Sequence, residues 1–66
     1  MNTNKLAGKI RECELSQKDL ATALNLSERS MSLRMTSKIS FRLSEAETVA
    51  KILHLTDDEI TSIFFN

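Results

Sequence analysis

The 66-residue chain has no proline, no tryptophan and no tyrosine, with a single glycine, Gly8, and a single cysteine, Cys13. With so few chain breakers, folds made of many short strands and tight turns are disfavoured and capped helices are favoured. A lone cysteine excludes an internal disulfide, which fits the reducing cytoplasm as the expected compartment. The three aromatic residues are all Phe, a thin supply for the stacking platforms that hold single-stranded nucleic acid. No apolar run is long enough to span a bilayer, and no basic, apolar, small-residue leader opens the chain, so neither membrane nor secretion is expected. His54 stands without a second histidine or a spaced cysteine, and no Ser-His-Asp set or phosphate-cradling glycine loop is present. The chain is therefore expected to have no catalytic residues, no metal site, no cofactor and no small-molecule ligand.

The composition that remains is that of a folded polypeptide, 41% hydrophobic and 27% charged, of a size suited to one domain over residues 1–66. Net charge is zero, but the charge is segregated. Residues 1–43 carry eight basic and four acidic side chains, net +4. Residues 44–66 carry Lys51 against Glu45, Glu47, Asp57, Asp58 and Glu59, net −4. Such a dipolar body offers a positive face to phosphates while its acidic end points elsewhere.

Caps and periodicity predict five helices. Leu6, Ile10 and Cys13 recur on one face of the first, which starts after Asn2 or Thr3 and ends near Glu14 and Leu15. Ser16 caps the second, with Asp19 three residues on; Leu20, Ala21 and Leu24 form its inner stripe. Asn25 tolerates the left-handed backbone and stops this helix, and Leu26 plugs the turn. Ser27 caps the third, with Met31 and Met35 inward and Ser30, Ser32, Leu33 and Arg34 on other faces. Residues 36–43 read as a connector packed on the core, although Ile39, Phe41 and Leu43 alternate as in a short strand. Ser44-Glu45-Ala46-Glu47 reads as a capping box opening the fourth helix, with Ala46, Val49, Ala50 and Leu53 inward. Thr56-Asp57-Asp58-Glu59 opens the fifth in the same way, with Ile60, Ile63 and Phe64 inward, and this explains its acidic run without a metal.

The informative stretch is Ser16 to Ser32: a capped helix with the small Ala21 at its middle, a tight turn with an apolar plug, and a second capped helix whose first turns are polar. The small residue allows close crossing, and the turn sets the angle. The leading end of the second helix then has the size to enter a major groove about 12 Å wide. Leu15 to Ala21, the turn Leu24 to Ser27, the entry Phe41 to Ala46, Ile52 to Thr56 and the terminal Ile63-Phe64-Phe65 together resemble the Cro/repressor-type (Xre) helix-turn-helix family, in particular its short phage-encoded members. The resemblance covers nearly the whole chain. Two positions depart from it: Asn25 stands where the family usually has Gly, and Met35-Thr36-Ser37-Lys38 replaces a turn that often holds an acid or Gly.

The resemblance implies an all-α, five-helix, lambda-repressor-like domain with a helix-turn-helix formed by helices two and three. It also implies a Cro-like repressor that binds double-stranded operator DNA in a bacterial cytoplasm through residues 27–35. Base contacts are expected from Glu28, Arg29, Ser32 and Leu33: Arg29 by pairing with guanine, Leu33 at a thymine methyl, and Glu28 at a cytosine amine unless it only complements the helix dipole. Backbone contacts are expected from Gln17, Lys18, Ser27, Ser30, Arg34, Lys38 and Arg42. A homodimer is expected, with Phe64 and Phe65 at its interface, because so small a body cannot bury both rings. The rival expectation is a protein-interaction module of the same fold, an antirepressor or antitoxin partner with weak or no DNA binding, which the zero net charge and Glu28 favour.

Overall fold

A computed structural model describes residues 1–65, and all of its regular structure is helical. The elements are α1 (Thr3–Glu12), α2 (Gln17–Ala23), α3 (Glu28–Met35), α4 (Leu43–Ile52) and α5 (Asp57–Phe64). No strand occurs among the described residues, and residues 36–42 form an irregular connector.

Four of the five starts have side-chain caps. Asn2, Ser16, Ser27 and Thr56 each accept the backbone N–H three residues on, satisfying donors that a helix start leaves without partners. At Ser16 and Thr56 the return bond is also made: Asp19 and Glu59 accept the N–H of the capping residue, completing reciprocal boxes. The start of α4 differs from the sequence expectation. Ser44 lies inside the helix, whose cap position is Arg42, and the Glu45 carboxylate accepts the Arg42 N–H at 2.9 Å. Only this return half of the box can form, because an arginine side chain has no acceptor.

Every helix contributes to one core. Leu6 and Ile10 of α1, Leu20 and Ala21 of α2, Met31 of α3, Val49 of α4 and Ile63 of α5 are buried in a single cluster that Leu53 joins. Cys13 is half-buried beside it, and its Sγ lies 3.8 Å from the Leu53 carbonyl. The chain turns between helices through left-handed residues, none of them glycine: Glu14, Asn25, Ser37 and His54 have φ of 59°, 58°, 62° and 53°. Asn25 thus has the backbone that its chemistry suggests.

Helices α1 and α5 are tied by polar links. The Asn2 N–H donates to the Ile63 carbonyl at 2.8 Å and Lys5 Nζ donates to Ser62 Oγ at 2.7 Å. Lys9 pairs with Glu59. The connector is pinned by Phe41, whose ring meets Phe64 edge-on at 5.6 Å between centroids, an arrangement that suits the ring quadrupoles. Its packing is less complete than the alternating pattern suggests: Phe41 is half-buried, whereas Ile39 and Leu43 are 43% and 65% exposed.

Candidate nucleic-acid interface

The candidate interface is built on α2, the turn of residues 24–27 and α3. Helix α2 packs on α3 through Leu20, Ala21 and Met31, all nearly free of solvent contact. The turn is closed by the Leu26 N–H, which donates to the Ala21 carbonyl at 2.8 Å, and Leu26 packs on the core. The reversal is tight because Asn25 adopts the left-handed conformation and Ser27 at once caps the next helix through the Ser30 N–H at 3.0 Å.

Helix α3 is anchored sparingly. Only Met31 and Arg34 are buried along it, with Met35 half-buried. Glu28, Arg29 and Ser32 are exposed and Leu33 is half-buried, so the four side chains expected at bases lie along the outer part of this helix. Among the expected backbone contacts, Gln17, Lys18, Ser27, Lys38 and Arg42 are exposed and Ser30 is half-buried. Ser27 Oγ is engaged as the helix cap. Asp19, the acid nearest Lys18, is turned to its own helix start; the Ser16 backbone and hydroxyl hydrogen bonds hold its carboxyl below the usual range.

Arg34 is the correction. Expected at a phosphate, it is 7% exposed and pairs in fork geometry with Glu45, Nε to Oε1 at 2.9 Å and Nη2 to Oε2 at 3.2 Å. Its Nη1 donates to the Ser30 carbonyl at 3.1 Å. A guanidinium with these bonds made inside the fold is not free to meet a phosphate. Burial works against the charge on Glu45, but the Arg34 hydrogen bonds and the Arg42 N–H outweigh it, and the carboxyl sits below its ordinary pKa. The signal was in the spacing: Met31, Arg34 and Met35 stand at i, i+3 and i+4, one inward stripe. What masked it is that long cations on short helices usually reach water.

An apolar cleft of about 390 Å³ lies between the connector, the start of α4 and the two ends of the described chain. Phe41, Ala46 and Phe64 line it, together with Met1, Ile39, Leu43 and Phe65, which are the exposed large hydrophobic residues of the described chain. Of the two rings expected at a dimer surface, Phe64 is half-buried against Phe41, while Phe65 is 64% exposed. Sequence reasoning missed Met1, Ile39 and Leu43; the alternation of Ile39, Phe41 and Leu43 was the available sign.

The model of the family described as "Protein of unknown function (DUF739)" matches residues 1–66. The chain belongs to the DUF739 family. No curated protein and no solved structure matches it. In this DUF739 protein the described residues contain no group of three His, Cys, Asp or Glu placed to hold a metal ion, and no helix long and apolar enough to cross a membrane.

Proposed function

We propose that this DUF739 protein is a sequence-specific double-stranded DNA-binding regulator, a Cro-like repressor of phage type acting at operators in a bacterial cytoplasm, and that it works by binding and not by catalysis. In this reading α2 and α3 form a lambda-repressor-like helix-turn-helix. α2 lies across the phosphate backbone and the leading turns of α3 enter the major groove. The observation that carries it is the division of α3: one narrow anchored stripe, Met31 and Arg34, and a polar outer face with Glu28, Arg29 and Ser32 in solvent. A helix kept for packing alone would bury a wider apolar stripe.

Arg29 reads guanine O6 and N7, Leu33 meets a thymine methyl and Ser32 reaches base or phosphate. Gln17, Lys18, Lys38 and Arg42 hold the sugar-phosphate rails. Two copies on half-sites about 34 Å apart give the affinity that one short helix lacks. The cleft flanked by Leu43 and Phe65 is their shared surface, since one patch that carries both a hollow and projecting apolar side chains is self-complementary, as a twofold contact requires. The experiment is selection of duplexes from a random pool by mobility shift, repeated with Arg29→Ala. Preference lost at particular base positions supports direct reading by Arg29; an identical preference removes Arg29 from the site.

The same cleft favours one other reading, a protein-interaction module whose partner sits there. Salt separates the two. DNA binding weakens steeply as salt rises because phosphate contacts release counterions, whereas an apolar protein contact holds.

A further inference from the structure

Helix α3 packs on α2 but buries few side chains of its own. Met31 is its one fully buried apolar side chain. Met35 also packs on the core, half-buried, but apolar contacts are non-directional and two of them along one stripe do little to fix the roll and tilt of the helix. What remains is the Arg34 guanidinium, which joins three pieces of chain. Nη1 bonds the Ser30 carbonyl one turn back in α3, and Nε and Nη2 grip both oxygens of Glu45 in α4. Glu45 Oε1 also accepts the Arg42 N–H, the last residue of the connector that leaves α3. Fork-to-fork pairing of this kind fixes direction as well as distance. Both side chains are about one-tenth exposed, so water does little to loosen the pair.

We infer that Arg34 and Glu45 are positioning residues for DNA reading: their buried fork sets the roll and tilt of α3, and so aims Arg29 and Ser32, without Arg34 touching DNA. This rests on the reading of α3 as the recognition helix and adds the device that orients it. Such a pair contributes more to a defined geometry than to net stability, because removing two charges from water offsets most of their attraction. Contact groups displaced beyond about 10–20° from their productive orientation lose much of their effect.

The test is the double variant Arg34→Met/Glu45→Gln. Met fills the space without leaving a carboxylate unpaired, and Gln keeps an acceptor for the Arg42 N–H. A folded variant with a near-unchanged melting temperature is expected to bind the selected duplex at least tenfold more weakly. The slope of log affinity against log salt should be unchanged, and residual dipolar couplings should show α3 turned by about 20° or more against α1, α4 and α5. Unaltered affinity in the folded variant overturns the inference. So does a salt slope reduced by about one, the mark of one phosphate no longer neutralised. Should the double variant fail to fold, Arg34→Lys, which keeps the charge and loses the fork, is measured the same way with the same criteria. If the wild-type protein binds no duplex in dilute salt, the DNA reading fails on its own, and the couplings still decide whether the pair aims the helix: an α3 orientation identical in variant and wild type rejects it.

Discussion

At the scale of single residues, glycine stands where the backbone does not need it and is missing where the backbone would favour it. Gly8 lies within α1, and a Cβ built there meets nothing nearer than Arg11 Nη2 at 4.0 Å. Gly8→Ala is therefore expected to stabilise the fold by about 0.5–1 kcal/mol, read as a higher urea midpoint at constant m-value. Conversely, Glu14, Ser37 and His54 hold left-handed backbone at a cost of about 1–2 kcal/mol each. Glycine removes that strain, while its freedom in the unfolded chain takes back about 0.4–1 kcal/mol. Glu14→Gly and His54→Gly should each raise stability by about 0.5–1 kcal/mol, and Asn25→Gly by less, since Asn already tolerates the conformation. Lower midpoints at Glu14 and His54 would show that their side chains matter more than their backbone angles.

At the scale of elements, the joint between α1 and α5 should fail in acid. The Lys9 hydrogen bond, aided by the Thr56 N–H, takes the Glu59 carboxyl from 4.5 to about 2. Glu59 also raises the pKa of Lys9. A carboxyl depressed in the folded state contributes stability that is complete above its unfolded value near 4.5 and is lost as pH falls toward 2. Asp19 and Glu45 are displaced in the same direction, so all three act together. Chemical denaturation from neutral pH down to about 2 should show stability falling through this window, and Glu59→Gln should flatten that fall. An unchanged profile in the variant would mean that the Lys9–Glu59 pair is too well hydrated to matter.

Elements were also where the sequence was most legible. Polar caps at Ser16, Ser27 and Thr56 are local chemistry, so three helix starts could be placed from neighbouring residues alone, and the first is narrowed to Asn2 or Thr3, of which Asn2 is the cap. The inner stripes of α1, α2, α4 and α5 follow from the period of Leu, Ile, Val and Ala. The start of α4 was misplaced by two residues because Ser44-Glu45-Ala46-Glu47 has the composition of a box. At the helix start the Glu45 carboxylate takes a backbone N–H that any residue but proline at position 42 supplies. Arg34 departs from expectation for a related reason: its spacing from Met31 and Met35 points inward, but its partner Glu45 lies eleven positions on in the chain, and no local pattern announces such a pair. The exposure of Glu28, Arg29 and Ser32 was legible because the third helix had too few apolar residues to be covered.

At the scale of the whole molecule, the exposed surface is 4400 Å², and a stable pair of protomers covers about 800 Å² on each, close to a fifth of it. Leu43 and Phe65 are the most exposed of the large apolar side chains, and burying either one fully is worth about 1.5–3 kcal/mol. Leu43→Ser and Phe65→Ser should each weaken self-association roughly tenfold or more by sedimentation equilibrium, with helicity retained. A wild-type chain that stays monomeric at millimolar concentration would leave the cleft to another partner. On DNA, Lys38→Ala and Arg42→Ala are expected to lower affinity evenly across sequences, each flattening the salt slope by about one. A change confined to certain base pairs would move these side chains from the rails to the bases.

The bond from the Asn2 N–H to the Ile63 carbonyl brings the opening and closing residues of the described chain side by side, and Met1 and Phe65 both border the cleft. An affinity tag or fusion partner joined directly to Met1 therefore starts on the very surface assigned to the second copy. Oligomer measurements need the scarless polypeptide. If pairing is to be preserved, a reporter is better inserted at the exposed turn around His54, which does not border that cleft, than attached at Met1.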